Sequence, residues 1–187
     1  MSDFRFYQEP RTTRWEFTGG VLTGAVIKKM DAEERGTVNQ GDPVARIVDI
    51  RMENEVEAKG GTAIRVSVLD ESGRATNAQV RMVWPTHRYL SNGQMDGSST
   101  DTARPTKYAE FWMGPNSFKP TPGSTEVGPY VIEIVSGPEG QVMKTDLAVG
   151  FGLPANRHWN GYVTFRLGRA YTVDRADKMP GVPSDIS

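Results

Sequence analysis

The sequence predicts an all-β protein, a sandwich of packed sheets, and three observations carry that reading. From Thr62 to Trp84 the apolar residues fall on alternate positions: Ile64, Val66 and Val68, then Ala78, Val80, Met82 and Trp84. A period of two puts one face of an extended chain on a core and the other in water. Between the two runs stands Asp70-Glu71-Ser72-Gly73, a short polar side chain followed by glycine, which is turn chemistry. Elsewhere, twenty glycines and twelve prolines recur between short apolar runs. That spacing suits many short strands and leaves little room for helices.

Taken in order, the chain opens on Phe4, Phe6, Tyr7, Trp15 and Phe17. Trp15 and Phe17 alternate, as in a short strand. Rings this dense are costly in water, so they either pack on the chain's own core or form an arm that docks on a neighbouring subunit. Val21 to Lys28 reads as a strand, Asp31 to Arg35 as one or two helical turns, and Asn39-Gln40-Gly41-Asp42-Pro43 as a turn. Val44 to Met52 is the next strand, with Ile47, Val48 and Ile50 apolar. A polar connection then ends in Gly60-Gly61, and the one boundary is placed there. Residues 1–59 are read as an N-terminal arm and extension that can also complete the sandwich, 60–168 as the sandwich, and 169–187 as a C-terminal tail.

Pro85 has no N–H to give a ladder, so it ends the strand that Trp84 closes. His87 to Thr106 reads as a long polar loop, and such loops bind something or move. Lys107 to Met113 is a strand with Ala109, Phe111 and Met113 on one face and Tyr108, Glu110 and Trp112 on the other. A second loop, Gly114 to Gly128, leads to Tyr130–Val135, apolar at most positions and so placed in the middle of a sheet. Leu147 to Pro154 precedes the last strand, His158 to Leu167. There Trp159, Gly161, Val163, Phe165 and Leu167 share one face, and His158, Asn160, Tyr162, Thr164 and Arg166 the other. Pro180, Gly181 and Pro183 leave the tail little to bury, and its last ten residues read as an arm or disorder.

Composition removes several function classes. With 187 residues, 37% hydrophobic and 24% charged, the chain can bury one sizeable core. A net charge of −1 gives no electrostatic reason to expect nucleic acid as a partner. No run of ~18 apolar residues offers a membrane span. The absence of cysteine excludes disulfides and thiolate chemistry. Met1 to Pro10 carries no apolar leader, so the expected location is the cytoplasm, or a virion or other particle released without a signal peptide.

The Val66-x-Val68-x-Asp70-x-x-Gly73 pattern, followed by a strand ending in Val83 and Trp84, resembles the opening hairpin of immunoglobulin-like and prealbumin-like β-sandwich modules. The segment from Val149 to Arg166, with Gly152-Leu153-Pro154, His158 and Val163-x-Phe165, is similar to the closing strand of such modules in bacteriophage and bacterial surface proteins. The resemblance covers residues 60–168. It implies an immunoglobulin-like or prealbumin-like sandwich with terminal arms and a non-catalytic accessory or adhesive role, and it carries over no functional residue.

Weighed by chemistry, no catalytic set stands out. His87 and His158 are isolated in sequence, and no Gly-x-Ser-x-Gly elbow or phosphate-binding glycine loop occurs. Asp96 to Asp101 clusters oxygens that calcium accepts, in a spacing that also makes ordinary turns. Glu110 and Glu133 are strand carboxylates, of a kind that usually faces solvent. The aromatics matter more. Trp84 and Trp159 read as core, whereas Tyr108 and Trp112 point away from their strand's apolar face. The ligand or interface candidates are therefore Trp112, Tyr108, Tyr89 and His87, with Trp15 and Phe17 on the arm. No cofactor or metal is expected. The first reading is a non-enzymatic structural protein docking on other subunits, as a homo-oligomer or in a larger assembly such as a phage particle. The alternative is a carbohydrate-binding module, and the third reading a small hydrolase.

Overall fold

The computed structural model describes residues 2–3, 15–16, 26–53, 58–91, 95–114, 128–153 and 158–172. Thirteen strands occur among the described residues. They are β1 (Ser2–Asp3), β2 (Trp15–Glu16), β3 (Val26–Met30), β4 (Pro43–Met52), β5 (Ala63–Leu69), β6 (Ala78–Trp84) and β7 (Gly97–Ala103). There follow β8 (Ala109–Trp112), β9 (Tyr130–Ser136), β10 (Lys144–Thr145), β11 (Leu147–Phe151), β12 (Gly161–Arg169) and β13 (Tyr171–Thr172). A 3-10 turn at Ala32–Glu34 and a short helix, α1 (Thr86–Leu90), interrupt them. The all-β expectation holds.

Two sheets take up most of these strands. One has five strands in the order β10-β4-β12-β5-β8, the other six in the order β2-β3-β11-β9-β6-β7, and β1 pairs with β13. The five-stranded sheet is mixed: β12 runs antiparallel to β4 and parallel to β5. The shared core is what the period of two requires. Ile64, Val66 and Val68 of β5 and Val163, Phe165 and Leu167 of β12 meet Val80 and Met82 of β6 and Ile132 and Ile134 of β9. Trp159 is buried, and Trp84 packs edge-on against Tyr130 with ring centroids 6.0 Å apart. Where β4 faces β12 the pairing jumps from Asp49 to Ile47, a bulge at Val48 that changes the phase of the alternation. It is why Ile47 and Ile50, three apart, both reach the core.

The structure corrects the hairpin drawn from Thr62–Trp84. Strands β5 and β6 belong to different sheets, and the chain crosses the core between them. The turn itself is as expected: the Asp70 carboxylate accepts from the Ser72 hydroxyl at 2.6 Å and from the Ser72 and Arg74 N–H groups at 2.9 Å. Those bonds hold its pKa down to about 2. Gly73 supplies the positive φ, 82°. Alternation says which face is buried. Both strands face one core from opposite sides, so the same pattern serves either arrangement.

The polar loop expected over His87 to Thr106 is corrected as well. It contains all of α1 but its first residue and the whole of β7, which pairs with β6 from Ala78↔Ala103 to Trp84↔Gly97. Ser98, Ser99 and Thr100 lie on an edge strand and are solvent-exposed, so no apolar alternation marks them. Gly97 permits this pairing: a Cβ there would lie 2.3 Å from the Trp84 ring. Strands β3 and β4, from the first 59 residues, are built into the six- and five-stranded sheets respectively. The tail beyond residue 172 lies outside the described residues.

Candidate binding face

Each sheet has a second face, turned away from the shared core, and the two faces are built differently. On the six-stranded sheet Val83, Val131, Leu147 and Val149 are buried under Met30, Tyr89, Leu90 and Met95. Helix α1 thus roofs a small second core. Beside it Glu133, 4% exposed, accepts from Arg81 Nε at 2.7 Å and from the Tyr89 hydroxyl at 2.6 Å. Arg35 reaches both, at 3.4 Å from Glu133 and 2.7 Å from the Tyr89 oxygen. Burial and the Glu133 charge push the Tyr89 pKa up to about 12. This network ties the 3-10 turn region, β6 and β9 to α1. Where β10 gives way to β11, buried Asp146 accepts from Arg46 at 2.7 Å and from the Ala32 and Ile47 N–H groups at 3.0 Å.

The outer face of the five-stranded sheet carries polar side chains in register. In one row Glu53, Asn160, Ala63 and Trp112 lie side by side. Asn160 donates to Glu53 at 2.7 Å and accepts from the Ala63 N–H at 3.1 Å, and Ala63 pairs with Trp112. In the next row Arg51, Tyr162, Arg65 and Glu110 pair across β4, β12, β5 and β8. Arg65 donates to Glu110 at 2.7 Å and to the Tyr162 hydroxyl at 3.0 Å, and that hydroxyl donates to Glu53 at 3.0 Å. The Arg51 guanidinium lies 4.6 Å from the centre of the Tyr162 ring. The Glu110 bond, which outweighs partial burial, holds the Arg65 pKa above its ordinary value. In the third row Ser67 and Thr164 share a hydrogen bond of 2.9 Å, with Asp49 beyond them on β4. Tyr108 closes the array edge-on to Tyr162, centroids 6.0 Å apart. Asp49, Arg51, Arg65, Tyr108, Tyr162 and Thr164 are among the residues lining a depression of about 210 Å³.

Of the residues singled out in the sequence, Tyr108 and Trp112 lie on this face, 48% and 65% exposed. Their outward orientation is as expected. Tyr89 is instead part of the opposite roof, its hydroxyl committed to Glu133, and His87 is exposed on α1. The structure does not bring these two to the Tyr108–Trp112 face. Trp15 lies in β2, pairing with Ile27, and Phe17 is outside the described residues. Glu133, expected to face solvent, is buried because two arginines and a tyrosine satisfy it. Asp96 is paired with Arg88, and Asp101 accepts from the Thr102 and Glu110 N–H groups at 2.8 and 3.0 Å. Among the described residues no group of three or more His, Cys, Asp or Glu is placed to hold a metal ion. Arg51, Arg65, Ser67 and Asp49 were not foreseen. Their signal was the polar half of each alternating strand, legible once β4, β12, β5 and β8 are known to be neighbours.

No family model, no curated protein and no solved structure matches the chain. No helix among the described residues is long and apolar enough to cross a membrane.

Proposed function

We propose that this chain is a non-catalytic interaction protein, a sandwich of immunoglobulin-like or prealbumin-like plan that holds a partner on the outer face of its five-stranded sheet. The plan is supported by the crossing from β5 to β6 between sheets and by the parallel pairing of β5 with β12. The function is carried by one observation: two large rings, Tyr108 and Trp112, stand exposed on a sheet face whose arginines and glutamates engage one another. Ordered, mutually paired groups favour recognition. A hydrolase would want a carboxylic acid with a raised pKa beside a second carboxylate, whereas Glu110 is tied to Arg65 and Glu53 to Asn160 and Tyr162. The setting implied by the resemblance is an accessory or adhesive component of a larger assembly, such as a phage particle.

The test combines retention on insoluble polysaccharides, mass in solution by light scattering, and release of reducing ends in the same samples. The reading expects retention, or a mass above the monomer, that is lost in the Tyr108→Ala/Trp112→Ala double variant, with no sugar released. Release that depends on Glu110 or Glu53 would replace it with the hydrolase reading. Retention and mass both indifferent to the double variant would remove this face as the binding surface.

A further inference from the structure

We infer that the partner of this face is a neutral oligosaccharide, seated with one sugar ring in the Tyr108–Tyr162 depression and a further ring on Trp112. The inference rests on the reading of the face as a binding surface and adds the ligand class. Three features select it.

The first is spacing. Trp112 ends the edge strand β8 and Tyr108 immediately precedes it, so the two are four residues apart on one side of the sheet edge, about 13 Å at ~3.3 Å per residue. That separation exceeds one sugar ring, so a ligand that uses both aromatics is a chain. A pyranose has an apolar C–H face and a rim of hydroxyls. The exposed indole suits the face, and fixed polar groups suit the rim.

The second is polar preorganisation. Arg65 is fixed by Glu110 and Tyr162 and the Ser67 and Thr164 hydroxyls by each other, while the more exposed Arg51 lies over the Tyr162 ring. These groups present donors and acceptors side by side, the arrangement that neighbouring hydroxyls need, and little side-chain freedom is lost when a ligand binds.

The third is charge. Arg51 and Arg65 are matched on the face by Asp49, Glu53 and Glu110. With three carboxylates to two guanidinium groups, these rows carry no cationic excess to draw a sulfated, phosphorylated or uronic polymer, and none to draw nucleic acid. A protein partner is disfavoured by the same rows. A stable protein interface buries on the order of 1,600 Å² around an apolar centre depleted of charge. Here the two exposed rings are separated by the Arg65–Glu110 pair.

The experiment is isothermal titration of the full chain with neutral oligosaccharides of glucose, galactose, mannose, xylose and N-acetylglucosamine, from mono- to hexasaccharide, beside an oligogalacturonate. The expected result is binding of at least one neutral series, tightening with length. Trp112→Ala should weaken the longer oligomers roughly three- to tenfold and leave the monosaccharide unchanged, while Tyr108→Ala weakens every length. Trp112→Phe should recover part of the loss. Both side chains are exposed, and a denaturation curve on each variant checks that it folds. Failure of every neutral series overturns the inference, as does binding indifferent to both variants. Tighter, salt-sensitive binding of the oligogalacturonate overturns the neutral class. If the sugars fail while Trp112→Ala lowers the mass in solution, the sugar falls and the binding face stands. If neither responds, both fall.

Discussion

The outer faces of the two sheets are built on strands with the same inward alternation, yet they meet opposite fates. On the six-stranded sheet the outward positions of β6, β9 and β11 include Val83, Val131 and Leu147, and α1 with Met95 covers them. Strand β11 is buried at all five of its residues. On the five-stranded sheet the outward positions of β5 and β12 include Arg65, Ser67, Tyr162 and Thr164, half-buried and linked side chain to side chain. The difference teaches where stability and recognition are kept. The covered face contributes to holding the fold, and the open face can change its chemistry at small cost to the fold.

That division can be broken by measurement. The largest effect is expected at Asp146→Asn, which removes one of the two carboxylates that hold buried Arg46, the other being Glu33. Loss of roughly 3–5 kcal/mol is expected by urea denaturation, and a neutral result would show that the cluster is not structural. Leu147→Ala, on the covered face, should cost about 2–5 kcal/mol; a cost below that of an exposed substitution would mean that the roof packs loosely. Gly97→Ala drives a methyl into the Trp84 ring and should cost around 1–3 kcal/mol, read as a lowered Tm.

Tyr89 sharpens the comparison through pH. Its ordinary value is 10.0 and the folded value about 12, so above pH 10 the folded state keeps a proton that the unfolded chain gives up. Its contribution is whole below about pH 10 and is lost as pH rises towards 12. Denaturation curves across that window should show stability falling, with a shallower fall in Tyr89→Phe; identical slopes would remove Tyr89 as the cause. Smallest of all, Trp112→Ala on the open face should move stability by no more than ~0.5 kcal/mol. A loss of 2 kcal/mol there would show that the ring belongs to the fold.

Periodicity made the strands legible because burial acts on every second residue. Trp159, Val163, Phe165 and Leu167 point inward as their spacing says, and Ala109, Phe111 and Met113 do so opposite Tyr108 and Trp112. Pairing was not legible. Nothing local in Ile64-Arg65-Val66 reveals that its neighbour is a strand almost a hundred residues on, so the rows of the open face could not be assembled in advance. Strand β7 escaped for a different reason: an edge strand exposed at Ser98, Ser99 and Thr100, whose core contact is the small Ala103, leaves almost no apolar trace. The burial of Glu133 is not legible either, because its partners Arg35, Arg81 and Tyr89 come from three separate segments.

The position of β12 has a consequence for the order of events during synthesis. It lies between β4 and β5, and contacts such as Arg65 to Tyr162 close a loop of 97 residues. At ~5–20 residues per second a ribosome needs roughly 5–20 seconds to cover that distance. During that time β4 and β5 have edges with no β12 to pair with. Folding dominated by such distant pairings runs in about milliseconds to seconds after release, slower than for a helical chain of equal size. The first row of the open face runs through Asn160, the residue just before β12, and the second and third cross β12 through Tyr162 and Thr164. A ligand that binds there is therefore read only by chains whose last large strand has been made and inserted.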